Sequence, residues 1–170
     1  MKNKKCEIII IAAIGKNNEL GKNNDLIWNI PGDLKRFKEL TRGHPVIMGY
    51  NTFKSLGLCA LPERTNIVMA FKEMADEDVK VVQSLNDAII MAKNAQGSDK
   101  IFIIGGGTIY NLFLPLADTL NLTIVDEEDD KADVFFPEYD DEDFNEISCE
   151  EKEVDGLKFK FVVKQRKSKY

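Results

Sequence analysis

Three observations predict a single α/β domain over residues 1–170: strand-like and helix-like segments alternate, two strands are apolar without interruption, and the last part switches to a period of two. Alternating segments build a sheet whose faces are covered by helices. Strands buried on both faces read as continuous apolar runs, as Glu7–Ile14 and residues 101–104 do. The expected architecture is a central, mostly parallel twisted sheet with flanking helices and a C-terminal antiparallel hairpin. A chain of 170 residues, 44% hydrophobic and 31% charged, can bury the core this requires.

Each element has its own signal. After Glu7–Ile14, residues 17–25 are rich in Asn and Gly and read as a flexible loop. A helix is expected over Asp33–Thr41, stopped by Gly43, then a strand over 45–49 and a brief helix capped by Thr52 and running to Leu56. Residues 66–70 and Val79–Val82 are the next strands. Ser84, with Asp87 three residues on, caps an amphipathic helix reaching about Asn94. The strand 101–104 runs into Gly105, Gly106 and Gly107, a helix over 108–114 precedes Pro115, and 120–125 is again a strand. Strands over 146–151 and 158–165 flank Val154, Asp155, Gly156 and Leu157, a hairpin turn.

Charge narrows the function. A net charge of −6 and a pI near 4.9 argue against nucleic acid, which needs a basic face. The acidic excess sits in 126–133 and 138–146; Asp126 to Asp130 lack the glycine and distal glutamate of an EF-hand loop and read as a solvated loop. No run approaches the roughly 18 to 20 apolar residues of a membrane span. The basic start before Ile8 resembles a leader only superficially, because no small-residue cleavage site follows and the sheet needs a first strand. Cys6, Cys59 and Cys149 show no metal or paired spacing, and His44 reads as a structural turn residue. A cytoplasmic monomer is expected.

Three segments carry chemistry. In the first, Asp33 follows the turn Pro31-Gly32 and shares a helix face with Leu34 and Phe37, with Trp28 and Ile30 just upstream. It is the only ionisable group expected in that apolar pocket. Such a wall disfavours a charge, which suits a group that helps deliver a proton; a helix-capping aspartate is the plainer alternative. In the second, a buried strand opens through Gly105, Gly106 and Gly107 into a helix, which presents bare amides to a pyrophosphate. The run is neither GxGxxG nor GxxxxGK[ST], and a tight turn reads equally well. In the third, the strand ending at Gly49 leads into the helix of Thr52, another candidate anion cradle or simply another βα junction.

In this order and spacing the segments resemble the dihydrofolate reductase family. The resemblance spans residues 8–161 and rests on Ile11-Ala12-Ala13, on Trp28, Asn29, Pro31, Asp33, Leu34 and Phe37, and on Pro45-Val46-Ile47-Met48-Gly49 with Thr52. Further matches are Leu61-Pro62 with Arg64 and Asn66, Ile104-Gly105-Gly106-Gly107 with Tyr110, and Leu122-Thr123. It implies a reductase taking 7,8-dihydrofolate to 5,6,7,8-tetrahydrofolate with NADPH, serving one-carbon and thymidylate metabolism and open to antifolate-like small molecules. Asp33 would bind the pterin 2-amino group and N3 and help a water protonate N5, Thr123 would support that carboxylate, and Trp28 would hold the water. Ile11, Leu26, Leu34, Phe37, Leu56, Leu61 and Ile104 would line the folate slot, and Arg64 would grip the glutamate α-carboxylate. Ala13, Ile14, Gly49, Tyr50, Asn51, Thr52, Ala70, Phe71, Ile104, Gly106, Gly107, Thr108, Ile109 and Tyr110 would hold the cofactor. The resemblance also implies a cis peptide at Gly105-Gly106, a lid over 17–25, and Asp133 tying the acidic loop to that lid.

The departures matter equally. Ile27 replaces the family's proline before the tryptophan, removing a fixed φ. Tyr50, Ala70-Phe71 and Thr108 stand where members often carry basic or hydroxyl groups toward the 2′-phosphate. A reduced preference for NADPH over NADH is therefore expected, with Lys72, Thr108 and Asn51 as compensating groups. The rival functions are a pterin or ribosylaminopyrimidine reductase, a non-catalytic folate or nucleotide binder, and a phosphoryl-transfer enzyme; the last lacks a loop lysine and Mg²⁺ carboxylates.

Overall fold

A computed structural model describes residues 5–74 and 76–168. Residues 1–4, most of the basic start compared above with a leader, lie outside them. The elements run β1 (Glu7–Ile14), β2 (Glu19–Lys22), β3 (Asp25–Leu26), α1 (Asp33–Thr41), β4 (Val46–Gly49), α2 (Tyr50–Ser55), β5 (Asn66–Met69) and β6 (Val79–Val82). They continue with α3 (Leu85–Lys93), β7 (Lys100–Gly105), α4 (Gly107–Phe113), β8 (Thr119–Val125), β9 (Val134–Phe135), β10 (Phe144–Val154) and β11 (Leu157–Arg166).

The eight-stranded sheet has the order β10-β11-β8-β1-β7-β4-β5-β6. From β8 to β6 every pairing is parallel, whereas β11 pairs antiparallel with β8 and β10 with β11. The expected parallel sheet with its C-terminal hairpin is the observed fold. The hairpin turn places Asp155 and Gly156 at φ 51° and 82°, the left-handed pair that a two-residue connection demands.

The uninterrupted apolar strands are explained by two cores. Ile10, Ala12 and Ile14 of β1 pack with Ala88 and Ala92 of α3 and Ile109 and Phe113 of α4, whereas Ile9 and Ile11 pack with Phe37 of α1 and Phe53 of α2. Strand residues alternate between faces, so β1 feeds both. Removing one of these fully buried isoleucines, Ile10 for example, costs about 2–5 kcal/mol. No described helix is long and apolar enough to cross a membrane.

Several expectations are corrected. Residues 17–25 are not a loop: β2 pairs with β3 and with β9, forming a second, three-stranded sheet. The polar composition misled because the strand buries an acid, Glu19, which is 2% exposed. Its carboxylate accepts the Asn17 amide at 2.9 Å and the Asp129 amide at 3.4 Å. Helix α2 starts at Tyr50 with Gly49 as cap, so Thr52 is inside the helix, and α4 starts at Gly107 with Gly106 as cap. Ser84 does cap α3, accepting from the Asp87 amide at 3.1 Å. Strand β10 extends well beyond 146–151, because an edge strand paired on one side tolerates its acidic, exposed residues.

Candidate active site

Asp33 is the first residue of α1, and the cap is Gly32, whose φ of 81° is a glycine conformation. The aspartate therefore does not cap the helix. Its Oδ1 accepts the hydroxyl of Thr123 at 2.6 Å, a bond joining α1 to β8 across 90 residues of sequence. Thr123 is 2% exposed and lies beside Ala13 of β1 in the sheet. The carboxylate thus has one buried partner and one open side.

Its surroundings are apolar. Ile11 is buried in the cluster against which Phe37, Leu61 and Ile104 pack. Leu26, Leu34 and Leu56 are instead exposed, at 65%, 68% and 37%. Leu34, next to Asp33 on α1, thus leaves an apolar side chain open beside a half-buried acid. Arg64 stands over the Phe37 ring at 6.0 Å, and burial holds its guanidinium below the usual arginine range. Its Nε is buried and has no protein hydrogen-bond partner.

Asp33 is not the only ionisable group nearby, which corrects the expectation. Arg36 is also half-buried on α1, and its Nη2 donates to Asn121 Oδ1 of β8 at 2.6 Å. Sequence reasoning passed over it, although its position three residues after Asp33 on the same helix face was visible. Trp28 differs too: its indole donates to Glu127 Oε2 at 3.0 Å. An indole has one donor, so that N–H is engaged by a carboxylate and not by the water expected there.

The second half of the site lies where β7, β4 and β5 end. The peptide Gly105-Gly106 is cis. A Cβ on Gly106 would lie 3.4 Å from Thr52 Oγ1, and one on Gly49 would lie 3.0 Å from Ile109 Cγ1. The two strand-to-helix turns are therefore side by side. No side chain caps α2 or α4, so their first amides face outward between bare glycines. That donor set fits a dinucleotide pyrophosphate.

The expected cofactor residues divide by depth. Ile14, Ile109 and Tyr110 pack their side chains into the core, so only their main chain is available there, and the Tyr110 hydroxyl donates to Ile11 O at 2.8 Å. Ala70 is buried and Ala13 partly so, while Asn51, Phe71 and Thr108 are exposed. Lys72 Nζ stands 4.8 Å from the centre of the Tyr50 ring.

The β2–β3 hairpin, where the resemblance implies a lid, is tied down by the acidic stretch, which is not merely a solvated loop. Lys16 pairs with Asp126 at 3.2 Å, Asn17 Nδ2 donates to Glu128 at 2.8 Å, and Asp133 accepts the Asn23 amide at 3.0 Å. Gly15 has no room for a side chain, since a Cβ would collide with Glu19 and Trp28. His44, read as structural, sets Nδ1 2.7 Å from Gly97 O.

An acid in an apolar slot next to a glycine-lined crevice at the carboxyl ends of parallel strands defines a class: α/β proteins that seat a nucleotide-like ligand beside a small planar one. The dihydrofolate reductase family model matches residues 7–166. The chain is 35% identical over 165 residues to dihydrofolate reductase of Bacillus subtilis (strain 168), covering 95% of each. It is 40% identical over 142 residues to that of Haemophilus influenzae, covering 84% of this chain and 85% of the relative. The structure of dihydrofolate reductase from Enterococcus faecalis complexed with NADP(H) and RAB-propyl superposes with a TM-score of 0.86 at 28% identity, over 95% of this chain and 97% of that one. The chain belongs to the dihydrofolate reductase family.

Proposed function

We propose that this chain reduces 7,8-dihydrofolate to 5,6,7,8-tetrahydrofolate with NADPH and so supplies one-carbon and thymidylate metabolism. The observation that carries this reading is the Asp33–Thr123 pair, a half-buried carboxylate held by the hydroxyl of a buried threonine. The free side of Asp33 accepts the pterin 2-amino group and N3–H, and the same acid draws a water toward N5 for protonation. Thr123 holds the carboxylate in one orientation while it does so. Arg64 takes the glutamate α-carboxylate with its guanidinium, which favours a folate over a ribosylaminopyrimidine substrate. Antifolate-like small molecules fit the same acid and slot.

The bound nicotinamide supplies the hydride. The chain contributes the amides of Gly106, Gly107 and Thr108 to its pyrophosphate and the lid of β2 and β3 to exclude water. Tyr50 offers a ring face to the adenosine end, with Lys72 the cation against it. One exposed lysine replaces the more usual arginine, so NADPH is preferred over NADH by a modest margin. Cofactor oxidation followed by absorbance, with dihydrofolate and with NADPH and NADH in parallel, tests both points. Dihydrofolate-dependent oxidation is expected, and its absence contradicts the function. A preference beyond about a thousandfold in kcat/KM, near 4 kcal/mol, contradicts the modest margin.

A further inference from the structure

Three consecutive acids follow β8, and each is tied to a different group. Asp126 pairs with Lys16 at 3.2 Å and Glu128 accepts the Asn17 side-chain amide at 2.8 Å, so both hold the turn between β1 and β2. Glu127, between them, sends its side chain elsewhere: Oε2 accepts the Trp28 indole N–H at 3.0 Å. Its main chain stays with the turn, the carbonyl accepting the Lys16 amide at 2.9 Å. Trp28 is half-buried and packs against Ile30, Val125, Phe159 and Phe161, and its ring crowds Gly15 from one side as the Glu127 carbonyl does from another. Packing holds the body of the ring, and Glu127 holds its one polar atom.

The segment from Trp28 to Asp33 is thus anchored at both ends by the same stretch of chain. Thr123 of β8 fixes the carboxylate, and Glu127, four residues on, fixes the indole, with Val125 packed against the ring between them. We infer that Glu127 is a positioning residue: by accepting the indole N–H it sets the plane of Trp28, and with it the wall that this ring gives the substrate slot. The inference rests on the proposed reading of the site as one that reduces dihydrofolate, with Trp28 beside the substrate. A tryptophan χ2 is broad and roughly two-fold, so a bond to the only ring donor selects one orientation. Glu127 is exposed, and replacing a surface side chain ordinarily leaves the fold intact. The bonds of Asp126, Glu128 and the Glu127 carbonyl to the turn survive that change, so the substitution isolates the tether to the ring.

The test uses the single tryptophan, whose indole N–H gives one signal in a proton–nitrogen correlation spectrum. Glu127→Ala is expected to move that signal, to speed its exchange with solvent, and to lower kcat for dihydrofolate roughly tenfold with KM changed less than about threefold. Glu127→Gln, whose amide oxygen still accepts, keeps the signal near its parent position and recovers most of kcat. In a Trp28→Phe background Glu127→Ala has no further effect on kcat, because the two side chains act as a unit. Parent-like kcat in Glu127→Ala overturns the inference, as do equal losses in Glu127→Ala and Glu127→Gln, or losses that add to those of Trp28→Phe. If Trp28→Phe does not fold, the contrast between alanine and glutamine at 127 decides. The spectrum needs no ligand: an unmoved signal in Glu127→Ala overturns the tether itself, whereas a parent protein inert toward dihydrofolate overturns the proposed function.

Discussion

At the residue scale the site works by leaving chosen polar atoms half-satisfied. Asp33 accepts the Thr123 hydroxyl on one oxygen, and in the proposed function the other side of the carboxylate meets the ligand. Thr123→Val removes a hydrogen bond to a charged acceptor, worth about 1.5–3 kcal/mol, so kcat/KM should fall roughly tenfold or more in steady-state assays. Arg64 is the complementary case, because the proposed function gives it a part of the substrate that does not react. Arg64→Leu should raise KM for dihydrofolate about tenfold to a hundredfold with kcat nearly unchanged, since a tail contact is equal in ground and transition states. A matching fall in kcat would mean that Arg64 also orients the ring. Both residues were legible in the sequence from their motifs. Arg36 was not, because an arginine on an amphipathic helix ordinarily reads as a solvated face, and only the register of α1 on β8 shows it half-buried.

At the scale of elements, the β2–β3 hairpin proposed as a lid and the acidic stretch form one unit. Glu19 anchors it from inside by accepting two amides, one from each side of the clasp. Glu19→Leu strands those donors, a cost of about 1–3 kcal/mol. Amide exchange at Asn17 and Asp129 should accelerate several-fold more than in the central strands; uniform acceleration across the sheet would show that the lid is not a separate unit. The main-sheet strands were readable from their apolar runs because each is buried on both faces. The second sheet was not, since a Gly- and Asn-rich hairpin and the two-residue strand β9 carry no periodicity of their own. The start of α2 was also missed, because glycine and not Thr52 caps it, and α4 begins at Gly107, one residue before the expected start.

For the whole molecule, Tyr110 joins α4 to β1 beneath the site and is 4% exposed. Burial raises its phenol above the ordinary tyrosine range, with Asp33 adding to the effect. A folded-state pKa above the unfolded value of 10.0 gives stability that is intact below pH 10 and lost as pH rises beyond it. Tyr110→Phe should cost about 1 kcal/mol at pH 7, by loss of the bond to Ile11 O, and should flatten the alkaline fall in urea-unfolding free energy. An unchanged alkaline slope would assign that fall to other groups. The two halves of the site, the acid of α1 and the glycines after β7, are brought together only because β8, β1 and β7 are neighbours in the sheet. Reduction of a folate depends on that adjacency, and Asp33 is where it is most exposed to test. The decisive measurement is turnover of Asp33→Asn with dihydrofolate and NADPH at pH 7 and under acid conditions. A loss of about a hundredfold or more in kcat at pH 7, partly recovered at low pH where the substrate arrives already protonated at N5, is the predicted result. Turnover at pH 7 equal to the parent enzyme would contradict it.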